Sequence, residues 1–183
     1  NGADAVYLGC KSFGARKFAK NFDNEEILEA LKYAHLYGVK VYVTMNTLVK
    51  DEEVAAFLEQ IEFLHRHKVD AILIQDFGML CLVREKFPDL EVHASTQANT
   101  SSKETAHLFY ELGVKRVVFS REMTLEEINS IDEPIEKEVF IHGALCISYS
   151  GCCLMSSMLG TRSGNRGECA GSCRLPYTLK HAA

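Results

Sequence analysis

Five of the seven cysteines fall in the last forty residues: Cys146, Cys152, Cys153, Cys169 and Cys173. Thiolates are soft ligands suited to zinc or to iron-sulfur clusters, and several must approach to within about 2.3 Å of the metal. Glycines at positions 143, 151, 167 and 171 supply the sharp backbone turns that such convergence demands. Neither a C-x2-C pair nor a standard ferredoxin run is present, so spacing alone leaves the metal open. Single cysteines are commonly small buried hydrophobes, but five in one short segment argue against that reading. The odd total also argues against a fully paired disulfide framework.

A second set of chemistry-bearing residues follows short apolar runs. Asn46 comes after Tyr42-Val43-Thr44-Met45, and Gln75 after Ile72-Leu73-Ile74; His93, Ser95 and Gln97 come after Val92. Arg121 and Glu122 come after Val117-Val118-Phe119, and His142 after Phe140-Ile141. If these runs are parallel strands of one barrel, their polar ends meet at one mouth, where barrels keep their chemistry. Wet loops and helix caps explain any one of them. Two His, two Gln and an Arg-Glu pair together point to a site.

The elements that must position these groups read as a repeated unit over residues 1–143. An apolar run at 5–9 is followed by Asp23-Asn24-Glu25-Glu26, an N-cap with its Glu three residues on. Ile27, Leu31 and Ala34 then lie at helical spacing, and Gly38 stops the helix. The unit recurs as strand 39–45 with helix 51–67, whose Val54, Phe57, Leu58, Ile61 and Leu64 form one stripe. Strand 71–74 pairs with helix 77–86. Strand 90–93 precedes a helix to Leu112 that opens on the capping box Ser101-Ser102-Lys103-Glu104. Strand 114–119 precedes the box Thr124-Leu125-Glu126-Glu127, and 138–141 is the sixth strand. Strands alternating with amphipathic helices call for a parallel sheet covered by helices. The phosphate-cradling glycine signatures of open doubly wound sheets are absent. The reading is α/β: a partial TIM-like (β/α) barrel over 1–143, with six parallel strands visible. It is followed over 144–183 by a Cys- and Gly-rich metal or iron-sulfur segment that reads as truncated.

The 183 residues are 47% hydrophobic and 25% charged, a globular balance that excludes a disordered tail, a collagen-like rod and a disulfide mini-protein. No apolar run approaches the roughly eighteen residues that span a bilayer, and no leader opens the chain, so it reads as cytoplasmic, without a membrane partner. The start at Asn1-Gly2-Ala3-Asp4, with no initiator Met, predicts a piece of a longer protein. Net charge is −5, divided unevenly: residues 144–183 hold four basic residues against one acidic, leaving the rest at −8. A basic, Gly-rich tail on an acidic body could meet a polyanion such as RNA, or merely solvate a loop.

The stretch Glu138-x-Phe140-x-x-Gly143-Ala144-Leu145-Cys146-x4-Gly151-x-Cys153-x-Met155-Ser156 resembles the signature of the U32, or collagenase-like, peptidase family. The resemblance extends through residues 2–9, Arg16 with Asn21-Phe22, Ser95-Thr96-Gln97 and Ser120-Arg121-Glu122. It implies a partial barrel preceded by one more strand and helix and followed by more chain. Its better understood members are iron-sulfur proteins that hydroxylate a base in transfer or ribosomal RNA, or a quinone precursor. Some take the oxygen from prephenate rather than O2. On that resemblance Cys146, Cys153 and Cys169 map to ligands of a 4Fe–4S cluster, the fourth being Cys173 or a residue further downstream. It also implies RNA as partner, a small anionic co-substrate such as prephenate, and pairing with a second family subunit. His142, Arg121, His93 and Gln97 are then the catalytic candidates, and Arg16, Asn46, Gln75, Ser95 and Glu122 the substrate-binding ones.

Two alternatives stay open. The family name asserts proteolysis, yet there is no H-E-x-x-H and no G-x-S-x-G elbow. Cys146 as nucleophile with His142 as base is the one arrangement available. The other is a non-catalytic scaffold stapled by zinc. Cys81 reads as core, Cys10 as a residue of the mouth, and His65-Arg66-His67-Lys68 as a basic helix C-terminus.

Overall fold

The computed structural model describes residues 2–178, in which six parallel strands form one sheet in chain order. They are β1 (Ala5–Gly9), β2 (Lys40–Met45), β3 (Ala71–Ile74), β4 (Val92–Ala94), β5 (Arg116–Val118) and β6 (Glu136–Glu138). Between them run α1 (Asn24–Leu36), α2 (Val54–Arg66), α3 (Phe77–Lys86), α4 (Lys103–Glu111) and α5 (Leu125–Asn129). A short α6 (Met155–Leu159) lies among the cysteines. A strand order that never reverses has no topological switch point of the kind that defines an open doubly wound sheet. The sheet instead curls one way, into the expected half-barrel.

Alternation along the strands builds two faces. Val41, Val43, Met45, Ile72, Ile74, Val92, Ala94 and Val117 meet Ile27, Leu31, Phe57, Ile61, Leu64, Leu80, Val83 and Phe109 of the helices in one core. Each fully buried aliphatic or aromatic side chain there contributes about 1.5–3 kcal/mol. The curled face is partly polar. Tyr42, Ala71, Leu73 and Val118 cluster on it, and the His93 ring meets Tyr42 edge-on at 4.8 Å. The Arg116 guanidinium lies over Tyr42 at 5.2 Å and donates to Glu136 and Glu138. The Tyr7 hydroxyl donates to the Glu138 carboxylate at 2.6 Å, joining the first strand to the last across the curl. Burial and that carboxylate both push the Tyr7 hydroxyl above its ordinary value.

The helix starts follow the chemistry of their caps. Asp23 with Glu26 and Thr124 with Glu127 form the expected capping boxes. At α4 the cap is Ser102, whose hydroxyl accepts from the Thr105 amide, so the box anticipated at Ser101 and Glu104 does not form. The helix expected over 51–67 begins as a 3-10 turn, Asp51–Glu53, before α2. Cys81 is half-buried on α3, and Cys10 is core rather than mouth, its thiol pushed up to about 12 by burial. No helix among the described residues is long and apolar enough to cross a membrane.

Two strands differ from the apolar pattern. β6 is Glu136–Glu138, earlier and more polar than 138–141, because ion pairs satisfy it: Arg116 holds both glutamates, and Lys137 donates to the carbonyls of Ile128 and Ile131. Apolar Phe140 and Ile141 leave the ladder, and Ile141 is 94% exposed. In β4, His93 is mid-strand and fully buried rather than at the strand end.

Burial holds the His93 imidazole below its ordinary value, against the opposing pull of Glu91, so the fold accepts the neutral ring. The unfolded chain takes up that proton near pH 6.5. Stability is therefore fully present above that pH and declines as pH falls below it. Urea midpoints measured at pH 5 and pH 7.5 should differ more for the wild type than for His93→Gln.

Candidate active site and metal centre

The chain after β6 turns back over the C-terminal ends of the strands. Two glycines let it lie flush there. Gly151 has φ +71°, and a β-carbon on it would overlap the Gln97 carbonyl; Gly167 has φ +78°, and a β-carbon there would overlap the Gly14 carbonyl. Polar contacts complete the seat. The Lys17 amide donates to the Gly167 carbonyl at 2.9 Å, and the Lys17 ammonium meets Glu168 at 2.6 Å. Arg166 donates to both oxygens of Glu53, at 2.9 and 2.6 Å, and to the Leu48 carbonyl at 2.8 Å. Arg121 donates to the carbonyls of Cys146 and Ser148 at 2.8 and 2.9 Å. Ser150, 5% exposed, bonds Glu122 at 3.3 Å.

Between segment and barrel lies a cavity of about 690 Å³, lined by Cys146, Cys153, Cys169 and Cys173 together with Arg16, Gln97, Arg121 and His142. The fifth cysteine, Cys152, does not line it; its sulfur accepts from Asn99 Nδ2 at 3.7 Å. Gly164 lies between two of the lining cysteines. A β-carbon there would sit 3.9 Å from the β-carbons of both Cys153 and Cys169, so a side chain would fill the space the two thiols share. The Gly171 amide donates to the Cys169 sulfur at 3.4 Å. Arg174 reaches the Leu145 carbonyl at 3.1 Å, tying the surroundings of Cys173 to those of Cys146. No three His, Cys, Asp or Glu side chains among the described residues meet as a single-ion site. Four thiols line this one cavity, with Gly164 between two of them, and thiolates are the ligand type that both iron-sulfur clusters and zinc take.

The other sequence candidates divide. Arg16 is exposed and lines the cavity, with its guanidinium in no ion pair among the described residues. Gln97 lines it too, and its buried Oε1 has no hydrogen-bond partner. His142 is exposed at the wall. Arg121 is largely committed to the cysteine loop and to Glu122, 3.7 Å away. Asn46 and Ser95 lie beneath the mouth, bonded to each other at 3.1 Å, with Asn46 also accepting from the Ala15 amide. Gln75 is buried with Oε1 unpartnered, outside the cavity lining. His93 is on the curled face, away from the cysteines. The anchors Lys17, Glu53, Arg166 and Glu168 carried no sequence signal, since nothing local ties Glu53 to a residue 113 positions on.

A curled half-barrel with a thiol-lined cavity at its mouth is the class that fold and site define. The model of peptidase family U32 matches residues 1–183, and the chain belongs to that family. It is 43% identical over 182 residues to a 23S rRNA 5-hydroxycytidine synthase of Escherichia coli, covering 98% of this chain and 27% of the relative. It is 36% identical to tRNA hydroxylation protein P of Escherichia coli (98% and 40% covered) and 34% identical to a collagenase of Porphyromonas gingivalis (98% and 46%). The chain thus spans less than half the length of these relatives. The solved structure of a U32 peptidase superposes with TM-score 0.62 at 18% identity, covering 74% of this chain and 59% of that one, a likeness of fold.

Arg166 beside Glu53 holds that carboxyl down at about 2. A carboxylate depressed this way stabilises fully above its ordinary pKa, and the contribution is lost as pH falls from about 4.5 toward 2. Glu53→Gln should cost about 1 kcal/mol and speed amide exchange at Gly167 at pH 6. At pH 3 the wild type should approach the variant.

Proposed function

We propose that this chain carries the iron-sulfur site of an enzyme that hydroxylates a base in transfer or ribosomal RNA. The observation that carries the reading is the meeting of Cys146, Cys153, Cys169 and Cys173 in one cavity with Arg16, Gln97 and His142. Relatives named for hydroxylation of ribosomal and transfer RNA support the substrate class. Cys146, Cys153, Cys169 and Cys173 would hold the cluster, with a residue beyond this chain as the alternative fourth ligand. A bound cluster supplies one-electron chemistry beside the substrate. The remaining work falls to this chain's own side chains. Arg16 offers a free guanidinium to a small anionic oxygen donor of the prephenate type. Gln97 offers an unpartnered acceptor, suited to an N–H of a base. His142 stands at the wall as the candidate proton-transfer group. Arg121 is a positioning residue, holding the Cys146 loop through its carbonyls. Work in a pair with a second family subunit belongs to the same reading.

The peptidase reading needs Cys146 activated by His142, and no hydrogen bond joins the two among the described residues. A zinc staple would draw on the same four thiols, and the metal and sulfide content of the purified protein separates the two readings.

Full-length protein purified without oxygen should contain about four irons and four sulfides per chain and absorb near 400 nm, as thiolate-bound clusters do. Cys153→Ser and Cys169→Ser should lose both iron and absorbance, and Cys81→Ser should keep them. Stoichiometric zinc without sulfide would turn the reading to the scaffold. Gelatin cleavage abolished by Cys146→Ala would turn it to the peptidase.

A further inference from the structure

Residues 11–20, the loop after β1, carry Lys11, Arg16, Lys17 and Lys20 and no acidic residue. Lys11 is neutralised by Asp23 at 2.7 Å and Lys17 by Glu168 at 2.6 Å. Arg16 and Lys20 form no ion pair among the described residues. Between them Phe18 stands 65% exposed, outside both hydrophobic clusters. The guanidinium of Arg162, from the cysteine segment, lies over its ring at 4.3 Å. Arg162 donates to the carbonyls of Glu168 and Cys169, at 3.0 and 3.4 Å, and these neutral acceptors leave its charge uncancelled. The loop is not free to drift, because the Lys17 amide is bonded to the Gly167 carbonyl. Arg16 lines the same cavity as the cysteines.

One aromatic ring with a cation over one face, on a loop that carries two unpaired cations of which Arg16 lines the cavity, is a stacking platform. A flat base stacks on such a ring without regard to sequence, and neighbouring cations take the phosphates. An acidic peptide would use the charges but has no flat face for the ring. We propose that Phe18, Arg162, Arg16 and Lys20 bind the single-stranded RNA next to the base that enters the cavity. The proposal rests on the RNA-modifying reading of that cavity and adds the surface that delivers the strand.

The test is fluorescence anisotropy with a short labelled oligouridylate and full-length protein whose iron content is measured in every sample. Phe18→Ala should weaken binding about tenfold, and Phe18→Trp should retain it. Lys20→Gln should lower the salt dependence by about one phosphate contact. Tyr33→Ala, an aromatic 69% exposed on α1 that does not line the cavity, should bind as wild type. Wild-type binding left unchanged by Phe18→Ala, with matching iron content and circular dichroism, overturns the platform and leaves the RNA reading standing. Iron-loaded wild type that binds no RNA overturns both.

Discussion

Everything at the mouth depends on the close approach of two backbones. Gly151 against the Gln97 carbonyl and Gly167 against the Gly14 carbonyl are places where any side chain would collide, on φ values that L residues rarely adopt. These two contacts bring the segment after β6 down onto the strand ends, so that four thiols line one cavity instead of trailing into solvent. Little apolar burial helps them: Ile141 is 94% exposed and Ile147 82%. Bonds from Arg121 and Arg166 and the Lys17–Glu168 pair therefore carry much of the docking. A segment held by polar contacts is one that metal binding would further order, because the free energy of ligation adds to that of folding.

The curled face and the mouth are connected through β6. Glu138 receives the Tyr7 hydroxyl and the Arg116 guanidinium, and three residues later the chain is already at the cavity wall. The polar layer that joins the first and last strands thus also aims the start of the cysteine segment. Such a layer persists in the sheet because most of its members are satisfied: His93 Nε2 meets Glu91 at 2.8 Å, and Glu136 accepts from Arg116. His93 Nδ1 is the member left without a partner.

The architecture was legible because its signals are local. Strand β3 and helix α3 match their apolar runs residue for residue, and the capping boxes at Asp23 and Thr124 mark true helix starts. What failed depended on distant partners. The apolar run at 138–141 points past β6, whose stability comes from Arg116 and Lys137, which no periodicity reveals. The pattern points His93 at the mouth because it cannot tell the middle of a three-residue strand from its end. Of the site, the cysteines and Arg16, Gln97, Arg121 and His142 could be read from residue type and signature. The Glu53–Arg166 clamp and the Phe18–Arg162 stack could not, since each unites residues far apart in the chain.

Whether the thiol-lined mouth serves hydroxylation of an RNA base, as proposed, is decided by nucleoside mass spectrometry. Total RNA from a strain deleted for the full-length gene, complemented with wild type or with Cys169→Ser, would be digested and compared. One hydroxylated nucleoside of transfer or ribosomal RNA should disappear on deletion, return with wild type and stay absent with Cys169→Ser if the proposal holds. An unchanged nucleoside profile across all three strains would contradict it.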